Sequence, residues 1–144
     1  MSYWDTSAWV KLYVQEADSA QFQAVMSEGV PVVTARIARY EAWTVFRRRE
    51  AEGLLPPGET RLLLQEISSE IAAGNIVVQA DGADVEREFK EVLEQCFSQT
   101  PPVFIRTNDA LHLASAKVAG EAEFVTADGR QRTAALLLGF KVLP

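Results

Sequence analysis

Three aspartates of this sequence lie at the ends of predicted strands or at the starts of predicted helices, where catalytic and metal-binding side chains are common. Asp5 ends a short apolar segment, Asp128 follows another, and each stands just before a predicted helix. Asp109 lies in the first turn of a helix that contains almost no other charge. In a parallel sheet, the carboxyl ends of strands and the amino ends of helices share one edge, where ligands bind. We therefore expect these three carboxylates to lie close together.

Glu41 is the fourth candidate acid, and its position is hard to explain by structure alone. At about 100° per residue it falls on the same arc of a predicted helix as Ile37 and Val45. An inward carboxylate is seldom tolerated without a partner. Arg48 is an alternative partner on the same stripe, and Glu41 lies roughly 10 Å beyond Thr34 along the helix.

Four convergent carboxylates require a cation, because two of them 4 Å apart repel by about 4 kcal/mol at an effective dielectric constant of 20. An all-oxygen ligand set favours Mg²⁺ or Mn²⁺, and one metal-bound water can then attack a phosphodiester. The predicted metal ligands are Asp5, Asp109 and Asp128, and the predicted catalytic residues are these three with Glu41. Thr6 and Thr126 are predicted to support them by hydrogen bonding to the carboxylates or to the scissile phosphate.

Each of these residues also has a structural interpretation. Asp5 and Asp128 are good helix N-caps, and the helix dipole stabilises Asp109 by about 0.3–1 kcal/mol. Asn108 is interpreted as the N-cap of its helix, and Thr6 or Ser7 as a cap of the first one. His112, the only histidine, is interpreted as a packed core residue, because no neighbour of the kind that a catalytic triad needs is evident.

The chain alternates short apolar strands with helices, which is typical of an α/β domain with a parallel sheet. We predict one domain, residues 1–144, with about five strands and helices on both faces. The predicted strands are at 3–4, 31–34, 76–78, 124–126 and 140–143. The first predicted helix ends at about Val14, the second runs from a capping box at 18–21 to Gly29, and the third runs from Thr34 to Gly53. Four more helices are predicted over 59–73, 84–97, 108–119 and 130–138.

The composition is ordinary for a globular protein, with 48% apolar and 24% charged residues in a chain of 144. A single cysteine and the absence of a signal-like or membrane-length apolar segment predict a cytoplasmic protein. The net charge of −6 argues against a surface that attracts nucleic acid everywhere. Arginines nevertheless cluster at 36–49 and 106–132, so local and weak binding of a strand remains open. No glycine pattern indicates a nucleotide cofactor.

Several motifs together resemble one family of nucleases. They are Tyr3–Ala8, Asn108–Ala116 and Phe124–Asp128, followed by Ala134-Ala135 and Leu138–Leu143. In order and spacing they are similar to the PIN domain, specifically to the VapC-type toxins of bacterial toxin–antitoxin pairs. The resemblance implies a sandwich around a parallel sheet and a Mg²⁺- or Mn²⁺-dependent endoribonuclease that cuts single-stranded or structured RNA. The family's acidic set falls on Asp5, Glu41, Asp109 and Asp128, and Glu41 follows Val33-Thr34 at the family's spacing.

The resemblance also implies partners. Such toxins are usually homodimers and are held inactive by a protein antitoxin whose tail enters the acidic groove. The face formed by Arg36, Arg39 and Arg47, or the helix at 59–73, is a candidate contact surface for that antitoxin. The consecutive arginines Arg47–Arg49 are unusual and leave the path of the RNA open.

Two other functions are compatible with the same residues. A phosphatase of the haloacid dehalogenase type needs a second aspartate two residues after the first, where Ser7 stands. It also needs a lysine near the fourth acid, where this chain has Arg130 and Arg132. The other alternative is a non-catalytic module that binds a protein or RNA.

Overall fold

The sheet confirms the predicted α/β architecture. The structure is a computed structural model that describes all residues from Met1 to Pro144. Every pair of neighbouring strands is parallel, and the strand order is β3-β2-β1-β4-β5. The strands are β1 (Ser2–Trp4), β2 (Val32–Ala35), β3 (Ile76–Gln79), β4 (Glu123–Val125) and β5 (Lys141–Leu143). The chain order reverses at the central strand β1, and in open α/β sheets this is where a ligand crevice forms.

Helices cover both faces of the sheet. They are α1 (Thr6–Trp9), α2 (Ser19–Gln23), α3 (Arg36–Ala51), α4 (Glu59–Ala73), α5 (Ala83–Phe97), α6 (Thr107–Val118) and α7 (Gly129–Leu137). A 3₁₀ turn over Val10–Leu12 continues α1. None of these helices combines the length and the apolar character that crossing a lipid bilayer requires.

Two hydrophobic cores lie on opposite sides of the sheet, and β1 contributes to both. Tyr3 belongs to the core that includes Phe124 and residues of α5, α6 and α7. Trp4 belongs to the other core, with Trp9 and residues of α3 and α4. Because successive side chains of a strand point to opposite faces, β1 is fixed from both sides. Its carboxyl end, where Asp5 follows, is therefore held firmly.

Two predicted helix caps are wrong, and in both cases a tertiary contact takes the side chain. Asp18 makes no capping bond, because its carboxylate accepts a hydrogen bond from the Lys11 ammonium at 2.7 Å. The helix that follows ends at Gln23, well before Gly29. Thr34 is the last but one residue of β2, and its hydroxyl donates to the Trp4 carbonyl at 2.7 Å.

Candidate active site

Asp5 stands at the carboxyl end of the central strand and is 3% exposed. Its Oδ1 accepts hydrogen bonds from the Ala8 backbone N–H at 3.1 Å and the Ser7 hydroxyl at 2.7 Å. Its Oδ2 accepts from the Thr126 hydroxyl at 2.5 Å. Asp5 itself is therefore the N-cap of α1, in place of Thr6 or Ser7. Burial raises the pKa of Asp5. The charge of His112 and these hydrogen bonds favour the carboxylate and act in the opposite direction, but burial outweighs them.

Asp128 follows the neighbouring strand β4 and is linked to Asp5 through one buried hydroxyl. The Oγ1 of Thr126 donates to Asp5 and accepts from the Asp128 backbone N–H at 3.0 Å. The Oδ1 of Asp128 accepts from the backbone N–H groups of Arg130 at 2.8 Å and Gln131 at 3.1 Å, so Asp128 caps α7. Its capping role leaves Oδ2 directed toward Arg106, whose Nη2 lies 3.8 Å away.

Asp109 lies in the first turn of α6 and is 6% exposed. Its Oδ2 accepts from the backbone N–H of Arg106 at 2.8 Å and from the guanidinium Nε of the same residue at 3.3 Å. Arg106 is the N-cap of α6, so the prediction that Asn108 caps this helix is wrong. The bonds and charge of Asp109 are the main reason that the pKa of Arg106 is raised.

Glu41 reaches the same edge of the sheet from α3 through contacts with two other helices. Its Oε1 lies 2.8 Å from the Thr6 hydroxyl and 2.7 Å from Nε2 of His112. Its Oε2 accepts from the Asn108 amide at 3.2 Å. Burial opposes ionisation of Glu41, but the bonds and charge of His112, with those from Thr6 and Asn108, outweigh it and lower the pKa of Glu41. Arg48, the alternative partner, makes none of these contacts.

His112 is buried, as a packed residue would be, but it also fixes one of the candidate acids. Its Nδ1 lies 2.7 Å from the Tyr3 hydroxyl, and its Nε2 contacts Glu41. Because ionised Glu41 can only accept, Nε2 carries the hydrogen, and in neutral His112 the Tyr3 hydroxyl donates to Nδ1. Burial, followed by the charge of Asp5, raises the pKa of Tyr3 far above its usual value, which keeps this donor protonated.

The sequence did not predict the contacts that three residues make with the candidate acids or with one another: Tyr3, Arg106 and His112. Two of them carry a local signal, since Arg106 and His112 stand three residues before and three residues after Asp109. Residues at this spacing share one side of a helix or its cap. The link from Tyr3 to His112 joins positions 109 residues apart and has no local signal.

We refer to Asp5, Glu41, Asp109 and Asp128 as the acid cluster. No group of three or more histidine, cysteine, aspartate or glutamate side chains is arranged to hold a metal ion in this structure. The donors are nevertheless carboxylate oxygens, which suit Mg²⁺ or Mn²⁺. The guanidinium of Arg106 stands between Asp109 and Asp128 as a cation. In donor chemistry and in its preference for positive charge, the acid cluster therefore fits a hard divalent ion.

Comparison with known proteins places the chain in a family. The family model of the PIN domain matches residues 2–137. The fold is similar to that of VapC20 from Mycobacterium tuberculosis, described as a sarcin-ricin loop cleaving toxin, with a TM-score of 0.71, 22% identity and 100% coverage of both chains.

Other solved structures share the fold at lower sequence identity. A toxin–antitoxin complex from Klebsiella pneumoniae has a TM-score of 0.65 and 14% identity, with 100% of this chain and 97% of that chain covered. FitAcB from Neisseria gonorrhoeae has a TM-score of 0.61 and 18% identity, with 100% and 97% covered. No curated protein sequence matches the chain. Because the family model spans nearly all of the sequence, this chain belongs to the PIN domain family.

Proposed function

We propose that this protein is a Mg²⁺- or Mn²⁺-dependent endoribonuclease and the toxin of a toxin–antitoxin pair. The observation that carries the proposal is that hydrogen bonds and one guanidinium link the acid cluster along the carboxyl edge of the sheet in a member of the PIN family. The similar structures support the biological class, since VapC20 is described as a sarcin-ricin loop cleaving toxin and another is a toxin–antitoxin complex.

In this proposal Asp5, Asp109 and Asp128 are the residues that would hold the divalent ion. When bound, the ion supplies Lewis-acid stabilisation of the phosphodiester and lowers the pKa of a coordinated water. Thr126 fixes the carboxylate of Asp5 through its 2.5 Å bond and ties the Asp128 backbone to the same point.

Glu41 has a separate part in the proposed reaction. The hydrogen bonds of His112 and Thr6 keep it ionised and hold Oε1 in place. Oε2 accepts one bond from Asn108 and retains a further lone pair. Glu41 can thus orient an attacking water by accepting its hydrogen at Oε2.

The direct test is RNA cleavage by the purified chain with defined metal content. Fluorescent single-stranded and hairpin RNAs should be cut with Mn²⁺ or Mg²⁺, left intact in EDTA, and cut again when Mn²⁺ is restored. Cleavage that continues in EDTA would contradict the proposed metal dependence. Failure to cut any RNA, together with tight RNA binding, would favour the non-catalytic module.

We further propose that the antitoxin docks in a groove between α3 and α4, which we call the α3–α4 groove. Its volume is about 960 Å³, and Trp43, which lines it, is 55% exposed. Three arginines and one glutamate also line it: Arg39, Arg47, Arg61 and Glu50, whose carboxylate pairs with Arg47 at 2.8 Å. An exposed indole beside the two remaining guanidinium groups suits a partner segment that combines apolar and acidic side chains.

Charge reversal tests the groove. Arg61→Glu should weaken binding of the protein encoded immediately upstream at least about tenfold, because it removes one attraction and adds one repulsion. Arg87→Glu on the exposed side of α5 is the matched control and should leave affinity unchanged in isothermal titration calorimetry. Equal affinities for both variants would place the antitoxin elsewhere.

A homodimer completes the proposal. Phe97 and Phe104 are 42% and 69% exposed, and their rings pack edge to face with centroids 5.8 Å apart. An exposed aromatic pair of this kind is a common mark of a contact surface. Sedimentation velocity should therefore give a mass of two chains, and Phe104→Ser should shift the protein toward one.

A further inference from the structure

Arg106 lies among the acids of the cluster, and the proposed reaction gives this residue no role. Its backbone N–H and its guanidinium Nε both bond to Oδ2 of Asp109, while its Nη2 stands 3.8 Å from Oδ2 of Asp128. It therefore joins two carboxylates that the proposed function assigns to a metal ion. The side chain is also 65% exposed, so little packing opposes its movement.

Arg106 is the only lysine or arginine whose side chain forms an ion pair with any member of the acid cluster. The other contacts to these acids come from hydroxyls, an amide, backbone N–H groups and His112. Since like charges repel, one guanidinium shared by Asp109 and Asp128 reduces the electrostatic cost of the metal-free state. No other lysine or arginine of the chain is close enough to Asp109 or Asp128 to reduce this cost.

Two features of the contact would allow exchange. The guanidinium carries one charge and contacts the carboxylates at 3.3 and 3.8 Å, whereas a divalent ion carries two and binds oxygen at about 2.0–2.1 Å. The bond from the Arg106 backbone to Asp109 does not depend on the guanidinium, so the start of α6 stays capped when the side chain leaves.

We propose that Arg106 is a built-in competitor for the divalent ion, which pairs with Asp109 and Asp128 in the metal-free protein and turns outward when the ion binds. This inference rests on the proposed metal site. In the metal-free protein, one charge of the chain itself thus offsets part of the negative charge of Asp109 and Asp128. Metal loading is an exchange of one cation for another, and its affinity is weaker than the same carboxylates would give alone.

Isothermal titration calorimetry with Mn²⁺ tests the exchange without any measurement of activity. Arg106→Gln removes the charge and keeps a long polar side chain, and it should bind Mn²⁺ about fivefold more tightly than the wild type. Arg106→Lys keeps the charge but lacks the planar fork that reaches both carboxylates, so its Mn²⁺ affinity should lie between those of the wild type and Arg106→Gln. The matched control is Arg130→Gln, because Arg130 contacts Asp128 only through its backbone N–H.

A melting experiment supplies a second and independent readout. In EDTA, Arg106→Gln should melt at a lower temperature than the wild type, because Asp109 and Asp128 lose their counter-charge. Saturating Mn²⁺ should remove most of this difference, because the ion then neutralises the same carboxylates in both proteins.

The possible outcomes separate the exchange from the metal site itself. Mn²⁺ affinity of Arg106→Gln that equals or falls below that of a Mn²⁺-binding wild type would overturn the exchange and leave the metal site standing. Arg106 would then act only as a support that holds the two carboxylates. If neither protein bound Mn²⁺ at millimolar concentration, the proposed metal dependence would fail, and the exchange with it.

Discussion

The acid cluster and the α3–α4 groove differ in how far the chain itself pairs their polar and charged groups. At the acid cluster, each carboxylate accepts hydrogen bonds from the chain's own donors, and Arg106 supplies a cation. In the groove, Arg47 pairs with Glu50, whereas Arg39 and Arg61 form no ion pair and Trp43 is 55% exposed. Contacts within the chain therefore organise the acid cluster, whereas the groove presents an indole and two unpaired guanidinium groups at the surface. We expect substitutions in the acid cluster to change cleavage and substitutions in the groove to change the binding of a partner.

The largest effect should follow Asp5→Asn. It removes a proposed metal ligand, and RNA cleavage should fall at least about 100-fold. Because burial raises the pKa of Asp5, its ionised form is costly at neutral pH, so the metal-free variant should be no less stable than the wild type. Cleavage assays and urea unfolding in EDTA measure the two effects.

Glu91→Gln is the control for that variant, since it removes one exposed carboxylate from α5, away from the cluster. It should leave cleavage unchanged. A loss of more than about 1 kcal/mol of stability in Asp5→Asn, with cleavage retained, would show that Asp5 serves only as a helix cap.

The next largest effect should come from His112→Ala, which removes the donor that holds Glu41. Cleavage should drop about 10- to 100-fold, by analogy with other residues that orient a metal site. The protein should also lose about 2–3 kcal/mol, because Tyr3 and Glu41 are left with unpaired buried groups. Leu111→Ala, a truncation at the neighbouring position of α6, should lower stability and leave cleavage intact. Equal loss of cleavage in both variants would reduce His112 to a packing role.

A smaller effect concerns pH. The lowered pKa of Glu41 means that the unfolded chain binds its proton more tightly, so stability should rise with pH across the acid range. This contribution is lost as the pH falls through the folded-state pKa. Urea unfolding between about pH 3 and pH 6 should show a shallower rise for Glu41→Gln than for the wild type. Parallel curves would mean that His112 and Thr6 do not stabilise the carboxylate.

The smallest effect on the free protein should separate the two regions most clearly. Trp43→Ala truncates the exposed indole of the groove, and it should lower the free energy of unfolding by no more than about 1 kcal/mol and leave RNA cleavage unchanged, because the side chain is 55% exposed. The same change should weaken antitoxin binding at least about tenfold, because aromatic anchors carry much of the binding energy of an interface. Leu136→Ala on α7 is the control, since that side chain is 57% exposed and does not line the groove. Antitoxin affinity that is unchanged in the Trp43 variant would exclude the groove as the binding site.

The sequence predicts the order of strands and helices, because this order follows from periodicity and from the rules of parallel sheets. Asp5, Asp109 and Asp128 each start a helix or lie in its first turn, so local signals suffice to place them. The partner of Glu41 was not predictable, because His112 is 71 residues away and belongs to another helix. Thr34 and Asp18 fail as caps because the Trp4 carbonyl and the Lys11 ammonium, which belong to other elements, bond to their side chains instead.

Binding of the divalent ion by the acid cluster can be observed in crystals of the wild-type protein that are soaked in MnCl₂ and measured for anomalous scattering. We expect one or more manganese peaks within about 2.5 Å of carboxylate oxygens of Asp5, Asp109 or Asp128. Manganese bound only elsewhere on the protein, with Arg106 still between Asp109 and Asp128, would contradict the account.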